Sequence, residues 1–479
     1  MSRNEKRNCM KVPEYDLAII GAGASGLIAV DFALQLGART ALIDKGPIGG
    51  DCTWTGCVPS KSLIKAATVA HHVRIASRYG VECSAPQADL AKVRAYLRGT
   101  IEQIYEPTKP ENLEKKGMDV LIGAASFVDP HTLRVGNRTI RARKCLINTG
   151  AEPRLPAIEG LSSVPFLTYQ QIFENDRMPE HLVIIGGGPI GCEIAQAYRR
   201  LGARVTMVAE HLLPHEDDEV SALMERVFAN EGIVRIAARA KSVLWSAGSV
   251  VVRTAVGDTT GDLLLIATGR APLVRNLGLE AAGVRYSEFG IEADQYLRTS
   301  ARHIYAAGDV IGGPQYSHLA GWQGFQAVRN ALLPGKNKGI CPSLSRITFT
   351  SPEVAQVGLT EREARKQHSA DQLQVMTFDI TKVDRAVNED DWEGILKIIA
   401  LRNGRILGAV IVGERAGETI TELAVAIRNR LKLADLASTI HPYPTYSSGV
   451  QFLATKMAMD QAFKGTSGKF IRGLSALWR

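Results

Sequence analysis

Twice in this chain a short apolar run breaks into a glycine-rich turn, enters a helical pattern and returns as a second apolar run. Asp16-Leu17-Ala18-Ile19-Ile20 leads into Gly21-Ala22-Gly23-Ala24-Ser25-Gly26, a helix to about Gly37, and a strand from Thr40 to Ile43 that ends at Asp44. Leu182 to Ile185 leads into Gly186-Gly187-Gly188-Pro189-Ile190-Gly191, a helix to about Leu201, and the strand Val205 to Val208. One G-x-G-x-x-G is weak evidence, but two in the same strand–turn–helix–strand setting strongly favour two nucleotide-binding βαβ units over empty glycine turns. The glycines permit a tight turn and close backbone approach, and the helix start offers amides and positive dipole to a pyrophosphate. Two dinucleotides are implied. Asp44, eighteen residues beyond Gly26, suits a carboxylate that accepts hydrogen bonds from a ribose, as expected for FAD. The second unit ends Val208-Ala209-Glu210-His211. No arginine follows at once to pair a 2′-phosphate, and Glu210 would repel one, so NADH is favoured over NADPH.

Shortly after the first turn comes Gly49-Gly50-Asp51-Cys52-Thr53-Trp54-Thr55-Gly56-Cys57-Val58-Pro59-Ser60-Lys61. Four residues between the cysteines suit neither a zinc knuckle nor a C-x-x-C redox motif. So close a pair suggests a disulfide that opens and closes during turnover. Seven cysteines scattered over 479 residues do not make a secreted disulfide scaffold. Residues 1–15 are polar and basic without the apolar core of a signal peptide, so a cytoplasmic protein is expected. No apolar run reaches eighteen residues, which argues against a transmembrane span. The net charge of +8 is not clustered with aromatic residues, so nucleic acid is not an expected partner.

These residues resemble the class I FAD-dependent pyridine nucleotide–disulfide oxidoreductases, which include dihydrolipoamide dehydrogenase, glutathione reductase and mercuric reductase. The likeness runs from about residue 14 to 455, with the motifs in the family's order: the first glycine turn, Cys52 to Lys61, Thr149-Gly150, Thr268-Gly269-Arg270, Gly308-Asp309 and Thr350 to Val354. The resemblance implies an α/β fold: two Rossmann-like, doubly wound domains, for FAD and NAD(P), and a C-terminal α+β dimerisation domain. The implied division is a flexible tail over 1–13, FAD domain over 14–153 and 273–343, NAD(P) domain over 154–272, dimerisation domain over 344–463, and a tail over 464–479.

The resemblance also implies roles. Gly21, Gly23, Ala24, Ser25, Gly26, Asp44, Lys45, Gly50, Asp51, Lys61, Thr149, Gly150, Arg270, Gly308, Asp309, His318, Leu319 and Ala320 would hold FAD. Gly186, Gly188, Pro189, Ile190, Gly191 and Glu210 would hold NADH or NADPH. Cys57 would take electrons from the flavin, with Cys52 the outer thiol that meets substrate. Lys61 and Glu193 would flank flavin and nicotinamide. Both cysteines are expected near the start of a helix, with Pro59 in its first turn, where the dipole favours thiolate. No resident metal is expected.

The chain departs from the family's pattern at informative places. His441-Pro442-Tyr443-Pro444-Thr445-Tyr446-Ser447-Ser448 stands where thiol–disulfide members carry a histidine acid/base held by glutamate. Tyr443 takes the histidine's place, Ser448 the glutamate's, and His441 falls two positions early. A phenol with a pKa of about 10 is a poor proton shuttle at neutral pH. Tyrosine here resembles mercuric reductase, yet residues 469–479 lack that enzyme's vicinal cysteines, and no C-x-x-C domain precedes the first glycine turn. Pro189 replaces a tyrosine that gates the nicotinamide pocket in many relatives. Trp54 replaces a common asparagine, either to shape an acceptor site or to pack.

The expected protein is a homodimeric enzyme, its active site shared across the interface, that passes electrons from NAD(P)H through FAD and the Cys52–Cys57 pair to a small molecule or metal ion. A dihydrolipoamide dehydrogenase-type disulfide reductase and a quinone reductase are the enzymatic alternatives; a flavin sensor without turnover is the reading from another class. The basic, apolar stretch Lys469 to Arg479 either docks on its own protein or touches a membrane surface.

Overall fold

A computed structural model describes residues 14–341, 343–463 and 465–479, the side chains of 465–467 excepted. The tail expected over 1–13 lies outside the described residues, as does Lys464 of the other tail. The chain forms two compact units. One comprises the segment up to Ser62 with Arg94–Arg154 and Gly269–Cys341; the other comprises Leu63–Val93, Leu155–Thr268 and the segment beyond Cys341.

In the first unit, strand Glu14–Ile20 is central, with Thr40–Asp44 and then Asp119–Ile122 parallel on one side and Arg138–Ile147 parallel on the other. The ten-residue strand Arg138–Ile147 serves two further partners. Its first half pairs antiparallel with Thr132–Val135, and its last three residues pair parallel with Ile304–Ala306. Parallel strands need both faces covered, which explains why Leu17 to Ile20 are all apolar and buried. Alternate residues feed opposite layers: Leu17, Ile19, Leu42 and Leu146 pack on one face, Ala18, Ile20, Ile43 and Ile147 on the other. The turns at the ends of these strands carry the candidate site.

The second unit repeats the arrangement in its own parallel sheet, ordered Val234–Ile236, Arg204–Val208, His181–Ile185 and Leu263–Ile266. Beyond residue 344 the pattern changes to five antiparallel strands, ordered Ser345–Thr348, Glu353–Gly358, Ile406–Gly413, Ile395–Leu401 and Leu373–Phe378. Helices Ala416–Arg428 and Ser447–Phe463 bury Ile420, Leu423, Val450 and Leu453 in that sheet's core.

One charged side chain breaks the apolar run of strand Ile395–Leu401. Lys397 is 1% exposed, and its Nζ lies 2.6 Å from Asp217, 2.6 Å from Glu219 and 3.2 Å from Glu361. Asp217 precedes the helix Asp218–Asn230, and Glu361 opens the helix Glu361–Gln367, so the lysine ties the helix Asp218–Asn230 to the antiparallel sheet of this unit. The three carboxylates lie close enough to hold a cation, and the ammonium meets that charge. Burial pulls Asp217 and Glu361 upward, but Lys397 and the other donors outweigh it and hold both below the usual carboxylate range. Carboxylates depressed in this way stabilise the fold above their unfolded pKa, and that contribution disappears as pH falls through the folded value. Lys397→Met leaves the cluster uncompensated and is expected to cost roughly 3–5 kcal/mol at pH 7. The deficit shrinks as the carboxylates protonate toward pH ~4. Urea unfolding across that range checks this; an equal loss at every pH would show that the lysine acts through packing alone.

Candidate active site

Cys52 is the third residue of the short helix Gly50–Trp54, and Cys57 is the first of the helix Cys57–Ile75. The connecting turn is tight: a Cβ on Gly56 would lie 2.7 Å from the Asp51 carbonyl oxygen. Cys52 is half-buried, and Cys57 is exposed in the chain by itself. Hydrogen bonding between the sulfurs, then burial, pushes the Cys52 thiol far above its ordinary value. Cys57 occupies the helix start, where the macrodipole favours thiolate. Its Sγ lies 3.3 Å from Ser317 Oγ, which opens the helix Ser317–Leu332, so the starts of two helices meet at one sulfur. Ser317 was missed in the sequence reading, although it directly precedes His318-Leu319-Ala320. Lys61 follows Cys57 by one turn, on the same helical face. Trp54 packs: its Nε1 donates to the Ile48 carbonyl at 2.9 Å, and its ring meets Tyr105 edge-on at 4.9 Å.

Arg270 joins three of the expected site segments. Its guanidinium donates to Asp309 at 2.5 Å and to Asp51 at 2.6 Å. Burial raises the Asp309 carboxyl despite the arginine beside it. Arg270 is carried by the ribbon in which Arg270–Pro272 pairs with Ala151–Pro153, just past Thr149-Gly150, and Thr149 Oγ1 secures it by donating to Leu273 O at 2.7 Å. Asp44 accepts from the amides of Ala22 at 2.6 Å and Gly46 at 2.9 Å, which holds the glycine turn against the end of its strand. Ser25 is buried with its Oγ unbonded among the described residues, facing the helix crossing at Gly324. Lys45 is exposed; Leu319 and Ala320 are buried, and His318 stacks on Tyr316 with ring centroids 5.5 Å apart.

The glycines separate what the fold needs from what a ligand needs. A Cβ on Gly21 would meet Asn148 O at 2.4 Å, and one on Gly26 would meet Gly21 O at 2.1 Å. Gly23 meets only Gly50 Cα, at 3.9 Å, and no side chain caps the helix Ala24–Gln35 that it precedes. The second turn behaves alike: Gly186 and Gly191 are crowded at 2.3 and 2.4 Å, whereas nothing lies within 4 Å of a Cβ on Gly188. Gly188 precedes the uncapped helix Pro189–Leu201, with Pro189 at its first position, where a missing N–H costs nothing. Each turn thus keeps one glycine that packing does not require, facing open amides, which fits a pyrophosphate.

Elsewhere in the second unit, Glu193 is buried in the helix Pro189–Leu201 and accepts from Phe349 N at 2.9 Å. Glu210 is bonded by Arg239 Nε at 2.5 Å, while Arg235 Nη1 donates to its backbone oxygen at 2.8 Å. Arg239 therefore pairs with a carboxylate that local sequence left without an arginine, and Arg235 fixes its backbone. Tyr443 is 73% exposed and donates to Asp384, and that hydrogen bond, then the carboxylate's charge, pushes the phenol further up. His441 is fixed between Thr439 O, 3.0 Å from Nδ1, and Glu422, 3.1 Å from Nε2. Beside this pair Arg415, Glu418, Thr419, Thr445, Tyr446 and Ser447 line a cavity of about 270 Å³.

Residues 15–324 match the pyridine nucleotide-disulphide oxidoreductase family, and residues 344–454 match its dimerisation domain. A mercuric reductase of Streptomyces lividans is 36% identical over 462 residues, covering 94% of this chain and 97% of that protein. A dihydrolipoyl dehydrogenase of Thermus scotoductus is 33% identical, covering 91% and 96%. The HOCl-induced flavoprotein disulfide reductase of Escherichia coli superposes with a TM-score of 0.83 at 28% identity, covering 92% of this chain and 99% of that one.

Gly188→Val is expected to retain the fold and its flavin while raising the KM for reduced nicotinamide about tenfold or more. Gly191→Val drives its side chain into Gly186 and is expected to lower Tm instead. Steady-state kinetics beside thermal melts separate the two; normal KM in Gly188→Val would remove that glycine from the nucleotide site.

Proposed function

The chain belongs to the pyridine nucleotide-disulphide oxidoreductases, enzymes that use FAD and NAD(P)H, and we propose that its electrons leave through Cys52 and Cys57 to a thiophilic metal ion. Bound FAD supplies the two-electron carrier between nicotinamide and the cysteines. The residues from Gly21 to Gly26, Asp44, Asp51, Arg270 and Asp309 would bind it, and the turn Gly186 to Gly191 would orient the nicotinamide dinucleotide. The observation that carries the proposal is a close thiol pair combined with a phenol, not an imidazole, at Tyr443.

Soft metals are bound by thiolates, and two sulfurs this close can share one ion. A helix start favours thiolate at Cys57, and a metal ion bound by both sulfurs displaces their protons. Disulfide substrates need protons moved between sulfurs; a metal ion does not, so an exposed tyrosine suffices. For Hg(II) the balance is NAD(P)H plus Hg²⁺ to NAD(P)⁺, H⁺ and Hg⁰, and for Cu(II) two ions accept one electron each. Support comes from the mercuric reductase relatives and from the Escherichia coli reductase, which also has a Cu(II) complex. The dimerisation domain suits a homodimer whose partner completes each site. The His441–Glu422 pair favours one second reading, a lipoamide-type disulfide reductase with its acid/base displaced along the turn.

Oxidation of reduced nicotinamide against Hg(II) and Cu(II) is expected to exceed that against lipoamide. Cys52→Ala and Cys57→Ser should each remove metal-dependent turnover while leaving the flavin reducible. Lipoamide turnover above the metal rates, and lost in His441→Gln, would establish the second reading instead. NADH is the expected donor. Glu210→Ala frees Arg239 for a 2′-phosphate and should shift the NADH-to-NADPH ratio of kcat/KM toward NADPH by about tenfold, the effect of ~1.4 kcal/mol. An unchanged ratio would place ribose recognition elsewhere.

A further inference from the structure

The helix Gly465–Leu477 carries its chemistry on two separate faces. At ~100° per residue Phe470, Ile471, Leu474, Leu477 and, if the turn is continued, Trp478 fall within an arc of about 120°, with Lys469 and Arg472 on the other side. The apolar arc is open: Phe470 is 69% exposed, Leu474 44%, Leu477 84% and Trp478 90%. The helix is held at its beginning, where Gly468 is buried against the Phe463 carbonyl and Arg472 Nη1 donates to the same oxygen at 3.4 Å. Residues 461–479 contain Lys464, Lys469, Arg472 and Arg479 and no acidic residue.

We propose that this helix seats on the surface of an anionic lipid bilayer, apolar arc inward and basic residues at the headgroups. Uniform positive charge selects the occupant. A second copy of the same helix would bring like charges together, whereas anionic headgroups neutralise them as the apolar side chains leave water. A terminal tryptophan suits the headgroup boundary. Thirteen residues rise about 20 Å, short of the ~30 Å hydrocarbon core, so the helix lies on the membrane and does not cross it. The proposal is independent of the electron acceptor.

Flotation of the purified holoenzyme with vesicles tests it. Binding is expected to vesicles of equal phosphatidylglycerol and phosphatidylcholine and to be absent with phosphatidylcholine alone. Each lysine or arginine near such a surface contributes about fivefold in partition, so the triple variant Lys469→Gln, Arg472→Gln, Arg479→Gln should lose about a hundredfold. Leu474→Glu with Leu477→Glu should abolish binding. Both variants should keep wild-type NADH oxidation with a soluble acceptor, since none of these residues belongs to the site. Wild-type enzyme that fails to float with the anionic vesicles would overturn the proposal. So would a glutamate variant that still floats but changes mass in sedimentation velocity, which would make the helix a contact between copies.

Discussion

The Arg270 guanidinium ties the cysteine segment to a distant turn of its unit. Arg270 bridges Asp51, one residue before Cys52, and Asp309, at the end of the strand Ile304–Ala306 and its following turn. A half-buried arginine between two carboxylates needs good geometry, because each charge has lost part of its hydration. Removing it would leave two carboxylates facing each other beside the thiols. The helix Cys57–Ile75 begins six residues beyond Asp51, and the helix Ser317–Leu332 begins eight beyond Asp309. The same bridge therefore fixes the two helix starts that meet at the Cys57 sulfur.

Lys397 plays the corresponding part in the second unit, again by placing one cation among several carboxylates contributed by separate elements. Both arrangements concentrate charge where sheets end and helices begin. The surroundings differ in consequence. Arg270 lies among residues expected to hold the flavin and sets the electrostatics there, while Lys397 joins a parallel sheet to an antiparallel one and bears on stability.

Much of the architecture was legible because its determinants are local. Apolar runs such as Leu17 to Ile20 can be buried on both faces only in a covered sheet, and a glycine is obligatory where backbone atoms approach as closely as Gly26 approaches Gly21. The missed features join residues far apart. Ser317 meets Cys57 across 260 positions, and Arg239 reaches Glu210 across 29. Glu422, in the helix Ala416–Arg428, meets His441 across a separation of 19. Trp54 had two readings in sequence, and its bond to Ile48 with its packing on Tyr105 decides for packing.

The amino-acid sequence by itself determined two glycine turns at strand ends, a close cysteine pair by a helix start, and a phenol where an imidazole is usual, since each is set by residue type and near neighbours in the chain. Only the tertiary structure decided which charges neutralise one another: Arg270 with Asp51 and Asp309, Lys397 with its three carboxylates, Arg239 with Glu210. It also left the apolar arc of the helix Gly465–Leu477 uncovered. Coulombic pairing and burial depend on distance in space, and chain position does not encode that distance until the sheets have closed.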